Sequence, residues 1–194
     1  MTQRPPRTLS QLLDVVDRAA AAPRVSVRDL VQEFGERSIT PFILLTALLL
    51  VSPLSGIPTV PTFGALIIVT LAAQALLGRP HVWLPDLVLR RAVSGKRLRS
   101  AIGWMRNPCA FLDRHAHKRL TWLTRGPMRV VNLALCLLIP LTWPPLELLP
   151  MVTSVSAATV ALLAFGLFQR DGLFVLLGYA MLAAAGGLLF WLWP

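Results

Sequence analysis

Polar side chains gather beside two groups of prolines that interrupt otherwise apolar sequence. A proline within a helix removes a backbone hydrogen bond, and lipid tolerates such a break only where protein or a water-filled cavity receives the freed groups. A helix that restarts after a break also points its positive dipole end at anionic groups. We therefore predict an anion-binding substrate site at the two breaks, with these candidate residues: Pro58, Thr59, Thr62, Gln74, Asn132, Pro145, Glu147, Thr153 and Ser154.

Three of these candidates have a second interpretation. Glu147 is the sole acidic residue between Asp113 and Asp171, and an ionisable group at membrane depth is functional by default. It would serve proton coupling, cation binding or pairing with substrate, or else it lies in water in a periplasmic loop. Gln74 and Asn132 either bind a ligand or satisfy the backbone of a broken helix.

The sequence carries no recognisable catalytic or metal-binding motif. It contains no GxSxG, P-loop, HExxH or GxGxxG pattern. His115 and His117 form an H-x-H pattern, but three adjacent basic side chains oppose metal binding there. Cys109 and Cys136 belong to no CxxC pattern, so we expect two inert thiols. We expect neither enzymatic activity nor a metal or other cofactor.

Composition and charge indicate an integral membrane protein. The chain is 55% hydrophobic with a mean hydropathy of +0.64, and its 14% of charged residues is well below the roughly 25% of soluble domains. Residues 79–129 carry twelve basic and two acidic side chains, so the net charge of this segment equals the net charge of the whole chain, +10. The positive-inside rule places this segment in the cytoplasm, against anionic headgroups, and explains it better than nucleic-acid binding does.

The expected fold is an all-α integral membrane protein. Residues 1–38 form two cytoplasmic amphipathic helices, at about 8–22 and 27–35, with Thr8 and Ser26 as N-caps. Residues 39–78 form the first membrane hairpin, with arms Ile39–Ser52 and Thr62–Gly78. Both arms fall short of the roughly 20 residues that cross a bilayer, so the hairpin either spans as a tight pair or re-enters.

The remaining chain is predicted to contain an interfacial segment, a second hairpin and a full span. In residues 79–129, a helix begins at Pro85 and continues to about Val93, and Pro108 breaks the next one. Residues 130–170 form the second hairpin, with arms Val130–Ile139 and Met151–Phe168. Residues 171–194 hold a transmembrane helix, Gly172–Trp193, whose stripe of small side chains serves either a homodimer contact or internal packing.

The two hairpins also predict an internal repeat. Pro53 precedes Pro140 by 87 residues, and the same spacing separates Pro58 from Pro145, whereas Arg79 and Arg170 are 91 apart. Two unrelated apolar hairpins with prolines would also align in part. The repeat is parallel if both hairpins enter from the cytoplasm and inverted if the chain crosses within residues 79–129.

A series of short motifs resembles the ExoD exopolysaccharide-synthesis family over about residues 8–190. They are the following: Gly35-Glu36-Arg37-Ser38, Pro53…Ile57-Pro58, Gln74…Gly78-Arg79, Trp83-Leu84-Pro85, Ile139-Pro140…Pro145 and Arg170-Asp171-Gly172. The resemblance marks Glu36, Arg37, Arg79, Arg170 and Asp171 as family-motif residues. Asp113 takes the place of a glutamate that family members usually have.

The resemblance implies a multi-pass protein of the bacterial inner membrane that is linked to exopolysaccharide synthesis or export. Together with the paired breaks, it favours a transporter-like protein; the alternative is a non-transporting scaffold or accessory subunit. The expected partners are membrane lipids, an anionic or lipid-linked saccharide and a second copy of the chain, but no nucleic acid.

Overall fold

Helices make up almost all of the computed structural model, which describes residues 8–34, 39–52, 59–79, 81–146 and 150–192. The elements are, in chain order: α1 (Leu9–Ala19), β1 (Arg24–Ser26), α2 (Val27–Phe34), α3 (Ile39–Val51), α4 (Val60–Leu76), α5 (Asp86–Leu89), β2 (Ala92–Ser94), α6 (Gly95–His115), a 3-10 helix (Thr121–Thr124), α7 (Gly126–Leu141), α8 (Trp143–Leu146), α9 (Pro150–Gln169) and α10 (Gly172–Leu192). The predicted all-α class is confirmed.

The two N-terminal helices begin at the predicted caps. The Thr8 hydroxyl accepts a hydrogen bond from the Gln11 amide at 3.2 Å, at the start of α1. At the start of α2, Ser26 and Asp29 exchange hydrogen bonds: the Ser26 amide donates to the Asp29 carboxylate and the Asp29 amide donates to the Ser26 hydroxyl. These local bonds satisfy amides that a helix N-terminus leaves without partners.

A short antiparallel strand pair joins the segment before α2 to the segment before α6. Val25 of β1 lies opposite Val93 of β2. The predicted helix from Pro85 to about Val93 is therefore wrong in its second half, since α5 ends at Leu89 and the chain extends into β2. Gly95 permits this arrangement, because a Cβ there would collide with the backbone carbonyl of Ala22.

The predicted break at Pro108 is also wrong. Helix α6 continues through it to His115. Ile102, Met105 and Cys109, on both sides of the proline, are buried, and α6 packs along α1. Packing on both sides of Pro108 holds the helix together despite the missing hydrogen bond.

Two helical hairpins form the centre of the molecule. Helices α3 and α4 form the first, and α7 and α9 the second, with bounds within a few residues of the predicted arms. The hairpins pack reciprocally, since α3 lies against α9 and α4 lies against α7. Helix α10 then packs on α9.

Within the described residues, no helix is both long and apolar enough to cross a membrane. The prediction that Gly172–Trp193 crosses outright is therefore not supported by α10 as described. Whether the hairpin arms span or re-enter stays a prediction. Helix α7 also includes Pro140, which was expected to end it.

Candidate functional site

The first break leads into α4 through a strained residue. Thr59, the N-cap of α4, has a φ of 75°, in the left-handed region that threonine rarely adopts. Pro61 follows in the first turn of α4, where its missing amide costs no helical bond. Pro58 lies outside the described residues.

The second break brings a buried tryptophan against the first hairpin. Helix α8, which contains Pro145, packs on α4. Trp143 of α8 is fully buried, and its indole N–H has no hydrogen-bond partner in the part of the chain that the structure describes. Buried donors are almost always paired, so this unpaired N–H is unusual and makes Trp143 a further candidate at the second break. Sequence reasoning missed Trp143, although it lies between the break prolines Pro140 and Pro144.

The other candidates of the second break lie at the start of α9. Thr153 is buried and Ser154 is half-buried there. On α4, Thr62 is half-buried three residues after Thr59. Glu147 lies outside the described residues, so its role stays a prediction.

Gln74 clamps a loop to α4. Its side-chain oxygen accepts the Trp83 amide at 2.8 Å, and its side-chain nitrogen donates to the Trp83 carbonyl at 2.6 Å. The same nitrogen donates to the Thr70 carbonyl at 3.0 Å. Both the oxygen and the nitrogen of the Gln74 side chain thus bond to backbone groups. This supports the interpretation that Gln74 satisfies backbone groups over the one in which it binds substrate.

Asn132 joins three helices at a fully buried position. Its side-chain nitrogen donates to the Leu123 carbonyl at 2.7 Å, and its oxygen accepts the Tyr179 hydroxyl at 2.6 Å. These bonds tie α7 to the 3-10 helix and to α10. The geometry again favours a structural role over contact with a substrate.

Asp113 anchors α1 from a distance of more than a hundred residues. Its two carboxylate oxygens accept the backbone amides of Leu9 at 2.9 Å and Ser10 at 2.8 Å. They also accept the Ser10 hydroxyl and the side chain of Gln169 at the end of α9. A negative charge at a helix N-terminus is stabilising, so Asp113 fixes α1 to α6 and α9.

Three arginines line a polar recess between the start of α7 and the end of α9. We call it the basic cleft; it measures about 520 Å³. It is lined by Thr40 at the start of α3, by Thr124, Arg125, Gly126 and Arg129 at the start of α7, and by Leu167, Phe168 and Arg170 at the end of α9. Such a cleft suits an anionic group.

Two apolar cavities, each of about 230 Å³, flank the first hairpin. One lies between the strand pair and the hairpin, where the Arg91 guanidinium sits 4.0 Å over the Phe63 ring. The other, which we call the apolar groove, runs between α3, α6 and α9. Both offer room for apolar groups.

No group of three His, Cys, Asp or Glu residues that could share a metal ion occurs among the described residues. The nitrogens Nδ1 of His115 and His117 both lie within hydrogen-bond distance of backbone carbonyls.

Comparison with known proteins agrees with the motifs. The sequence model of the family described as exopolysaccharide synthesis, ExoD, matches residues 9–191. The chain belongs to the ExoD family. It is 35% identical over 187 residues to Protein ExoD of Rhizobium meliloti (strain 1021), covering 92% of this chain and 74% of that protein. No solved structure matches it.

Two residues within the motifs that resemble the ExoD family, Arg170 and Gly78, terminate helices. Arg170 follows α9 with a φ of 58°, and Gly78 follows α4 in the same left-handed conformation. Each completes a Schellman motif, in which the next residue donates its amide five positions back: Arg79 to Gln74 and Asp171 to Gly166. Arg170 therefore holds the same place in its Schellman motif as Gly78 does in the other, whereas the 91-residue spacing had paired Arg170 with Arg79.

A third ExoD-motif residue, Asp171, holds a junction of the chain. Its fully buried carboxylate accepts the amides of His117 at 2.9 Å and Leu173 at 3.0 Å, and the Arg119 side chain at 3.4 Å. It thereby caps α10 and fixes the segment after α6. Glu36 and Arg37 lie outside the described residues.

Proposed function

We propose that this protein is a transporter-like, multi-pass protein of the bacterial inner membrane that acts on an anionic or lipid-linked saccharide. Membership of the ExoD family already links the chain to exopolysaccharide synthesis. The proposed step is movement of the saccharide and involves no covalent chemistry. The observation that carries it is the reciprocal packing of the two broken hairpins.

That packing supports an internal repeat. Suppose that α3 corresponds to α7 and α4 to α9. A two-fold rotation then turns the contact of α3 with α9 into the contact of α7 with α4. The antiparallel pairing of β1 with β2 and the two Schellman motifs fit the same two-fold relation. If the two-fold axis runs along the helices, the repeat is parallel. The two breaks then lie at the same end of the bundle.

The distribution of charge supports an orientation. Arg125, Arg129 and Arg170 lie where α7 begins and α9 ends, whereas the breaks lie at the opposite ends of these helices. The positive-inside rule puts the arginines in the cytoplasm. The breaks then lie deeper in the bilayer or at its far surface, with Trp143 and Thr59 among the residues at the proposed site.

Complementation tests this function. In a strain without its own copy of the gene, the unaltered chain should restore exopolysaccharide. Trp143→Phe keeps a smaller aromatic ring and removes the buried indole donor, so we expect polysaccharide to fall further than protein abundance does. Glu147→Gln, Thr59→Ala and Ser154→Ala test the other candidates, and Trp122→Phe, at an exposed site, is the matched control. Full activity in all four break variants would remove the proposed site.

The second candidate function is a scaffold for the polysaccharide machinery. The exposed face of α10 favours it, since Leu176 and Leu177 lie outside the helix packing of the described residues. A second copy of the chain or another membrane helix would fit there. This alternative predicts a stable complex on purification, loss of polysaccharide in Leu177→Trp, and no effect of Trp143→Phe.

A further inference from the structure

We propose that the basic cleft binds the phosphate group of a lipid whose hydrocarbon chain lies in the apolar groove. This inference deepens the proposed function and rests on it, because it names a phosphate-bearing lipid as the class of substrate. It places recognition of the phosphate at the ends of the hairpins, away from the breaks.

The cleft has the charge that a phosphate requires. Arg125, Arg129 and Arg170 come from two helices that are neighbours only in the folded chain. None of the three pairs with a carboxylate among the residues that the structure describes. Guanidinium groups bind phosphate oxygens in a bidentate manner, so converging arginines without acidic partners suit this ligand.

The start of α7 adds backbone donors to the same cleft. Arg125 is the N-cap of this 16-residue helix and makes no side-chain capping bond, and Pro127 in the first turn has no amide to donate. A helix N-terminus with open amides attracts phosphate through those amides and through the dipole. Thr124 also lines the cleft, but its hydroxyl donates to the Thr121 carbonyl and therefore supplies no donor to the phosphate.

Arg170 occupies a position that favours glycine. Its φ of 58° is left-handed, and Gly78 holds the corresponding position after α4. An arginine there costs stability relative to glycine. The cost is offset if the guanidinium serves the cleft, where it lies opposite the start of α7.

The apolar groove begins within one helical turn of the cleft. Thr40 of the cleft and Leu44 of the groove lie one turn apart on one face of α3, and Phe168 and Phe165 have the same relation on α9. The groove continues along α3 to Val51, about 10 Å at 1.5 Å per residue, between α9 and the Trp104–Leu112 face of α6. Its lining is apolar throughout, which suits an acyl or isoprenoid chain.

Calorimetry on the full chain in a neutral detergent tests this assignment with three probes. They are dihexanoyl phosphatidic acid, inorganic phosphate and dihexanoylglycerol, which lacks the phosphate. We expect phosphatidic acid to bind about tenfold or more tightly than inorganic phosphate, because it also uses the groove, and dihexanoylglycerol not to bind. Equal affinity for phosphatidic acid and inorganic phosphate would overturn the lipid assignment in favour of a soluble anion.

Variants distinguish binding of phosphatidic acid in the basic cleft from a general attraction of this anionic lipid to a basic protein. R125Q/R129Q and R170G should each weaken phosphatidic acid binding by about tenfold or more, since each removes charge-assisted hydrogen bonds. R97Q/R99Q removes the same charge from the exposed face of α6 and should change affinity less than about twofold. Equal losses in all of these variants would overturn the cleft and leave only a general attraction.

The groove has its own test. Ala158 is half-buried and lines the groove. A158F should fill it, weaken phosphatidic acid binding and leave binding of inorganic phosphate unchanged. Thermal unfolding of each variant checks that it is folded, and a folded A158F with unchanged lipid affinity would overturn the groove assignment.

Complementation distinguishes failure of this inference from failure of the proposed function. If R125Q/R129Q loses lipid binding while all four break variants restore exopolysaccharide fully, the lipid site is real and the proposed function is wrong. If Trp143→Phe abolishes polysaccharide while the cleft variants bind as the unaltered chain does, the proposed function stands and the lipid inference is wrong.

Discussion

Arg170 and Gly78 hold the same position in two helix-terminating motifs, at the ends of α9 and α4 respectively, with φ values of 58° and 67°. Glycine adopts this conformation without steric cost, whereas an L side chain brings its Cβ too close to a carbonyl. The arginine therefore keeps a backbone conformation that its own residue type disfavours. Its guanidinium lies at the basic cleft, which gives a reason for the exception.

Arg170→Gly should stabilise the protein relative to Arg170→Ala by about 1 kcal/mol, because alanine retains the left-handed strain and glycine relieves it. Both variants lose the same guanidinium, so their difference isolates the backbone. Denaturant unfolding in detergent, followed by circular dichroism, measures it. Gly78→Ala is the converse control and should lose stability by a similar amount; equal stability of the two Arg170 variants would contradict the strain.

Asp113→Asn should destabilise the protein by about 1–3 kcal/mol, because the Leu9 and Ser10 amides lose a charged acceptor and the α1 N-terminus loses a negative charge. Hydrogen exchange should quicken first at these two amides. Asp86→Asn is the matched control, since its exposed pair with Arg28 contributes little. Unchanged exchange at Leu9 and Ser10 would show that α1 is held by its apolar face alone.

Gln74→Leu should destabilise the protein by about 1–3 kcal/mol, because the Trp83 amide and carbonyl lose their partners. The amide of Trp83 should exchange faster, while exopolysaccharide should fall only as far as protein abundance falls. Quantitative immunoblotting of the complemented strain provides that comparison. Normal abundance with lost polysaccharide would instead restore Gln74 as a substrate-binding residue.

Features set by neighbouring residues were predictable from the sequence. Apolar spacing and capping residues predicted α1 and α2, and the two apolar stretches interrupted by prolines predicted the hairpin arms. Contacts between distant segments were not predictable: Val25 pairs with Val93, and Asp113 reaches Leu9 across more than a hundred residues. A single sequence contains no signal for such partners, because each of these residues has many other possible partners of the same type along the chain.

The same limit applies to the candidate site. Proline spacing drew attention to the breaks, and the helix starts predicted at Thr62 and Met151 lie within two residues of the observed starts at Val60 and Pro150. The basic cleft was missed because Arg125 and Arg129 were counted within residues 79–129 and assigned to the membrane surface, whereas Arg170 lies outside that segment. Only the packing of α9 near the start of α7 shows that Arg170 meets Arg125 and Arg129.

Cys109 provides a test of the packing of α6 on its neighbours. Burial, and secondarily the negative charge of Asp113 one turn away, raise the pKa of the Cys109 thiol to about 12. Because the thiolate is the reactive form, alkylation by iodoacetamide at pH 8 should be far slower in the folded protein than after unfolding. A Cys136→Ala background leaves Cys109 as the only thiol.

The raised pKa also fixes the direction of a pH effect. The folded state holds the thiol proton more tightly, so this contribution to stability is complete below pH 9, the ordinary thiol value, and is lost as pH rises towards 12. Cys109→Ala should flatten the stability curve over that range, and Asp113→Asn should make alkylation somewhat faster by removing the nearby charge. An alkylation rate that levels off near pH 9 in the folded chain would mean that water reaches Cys109 and that α6 does not pack on α1 as described.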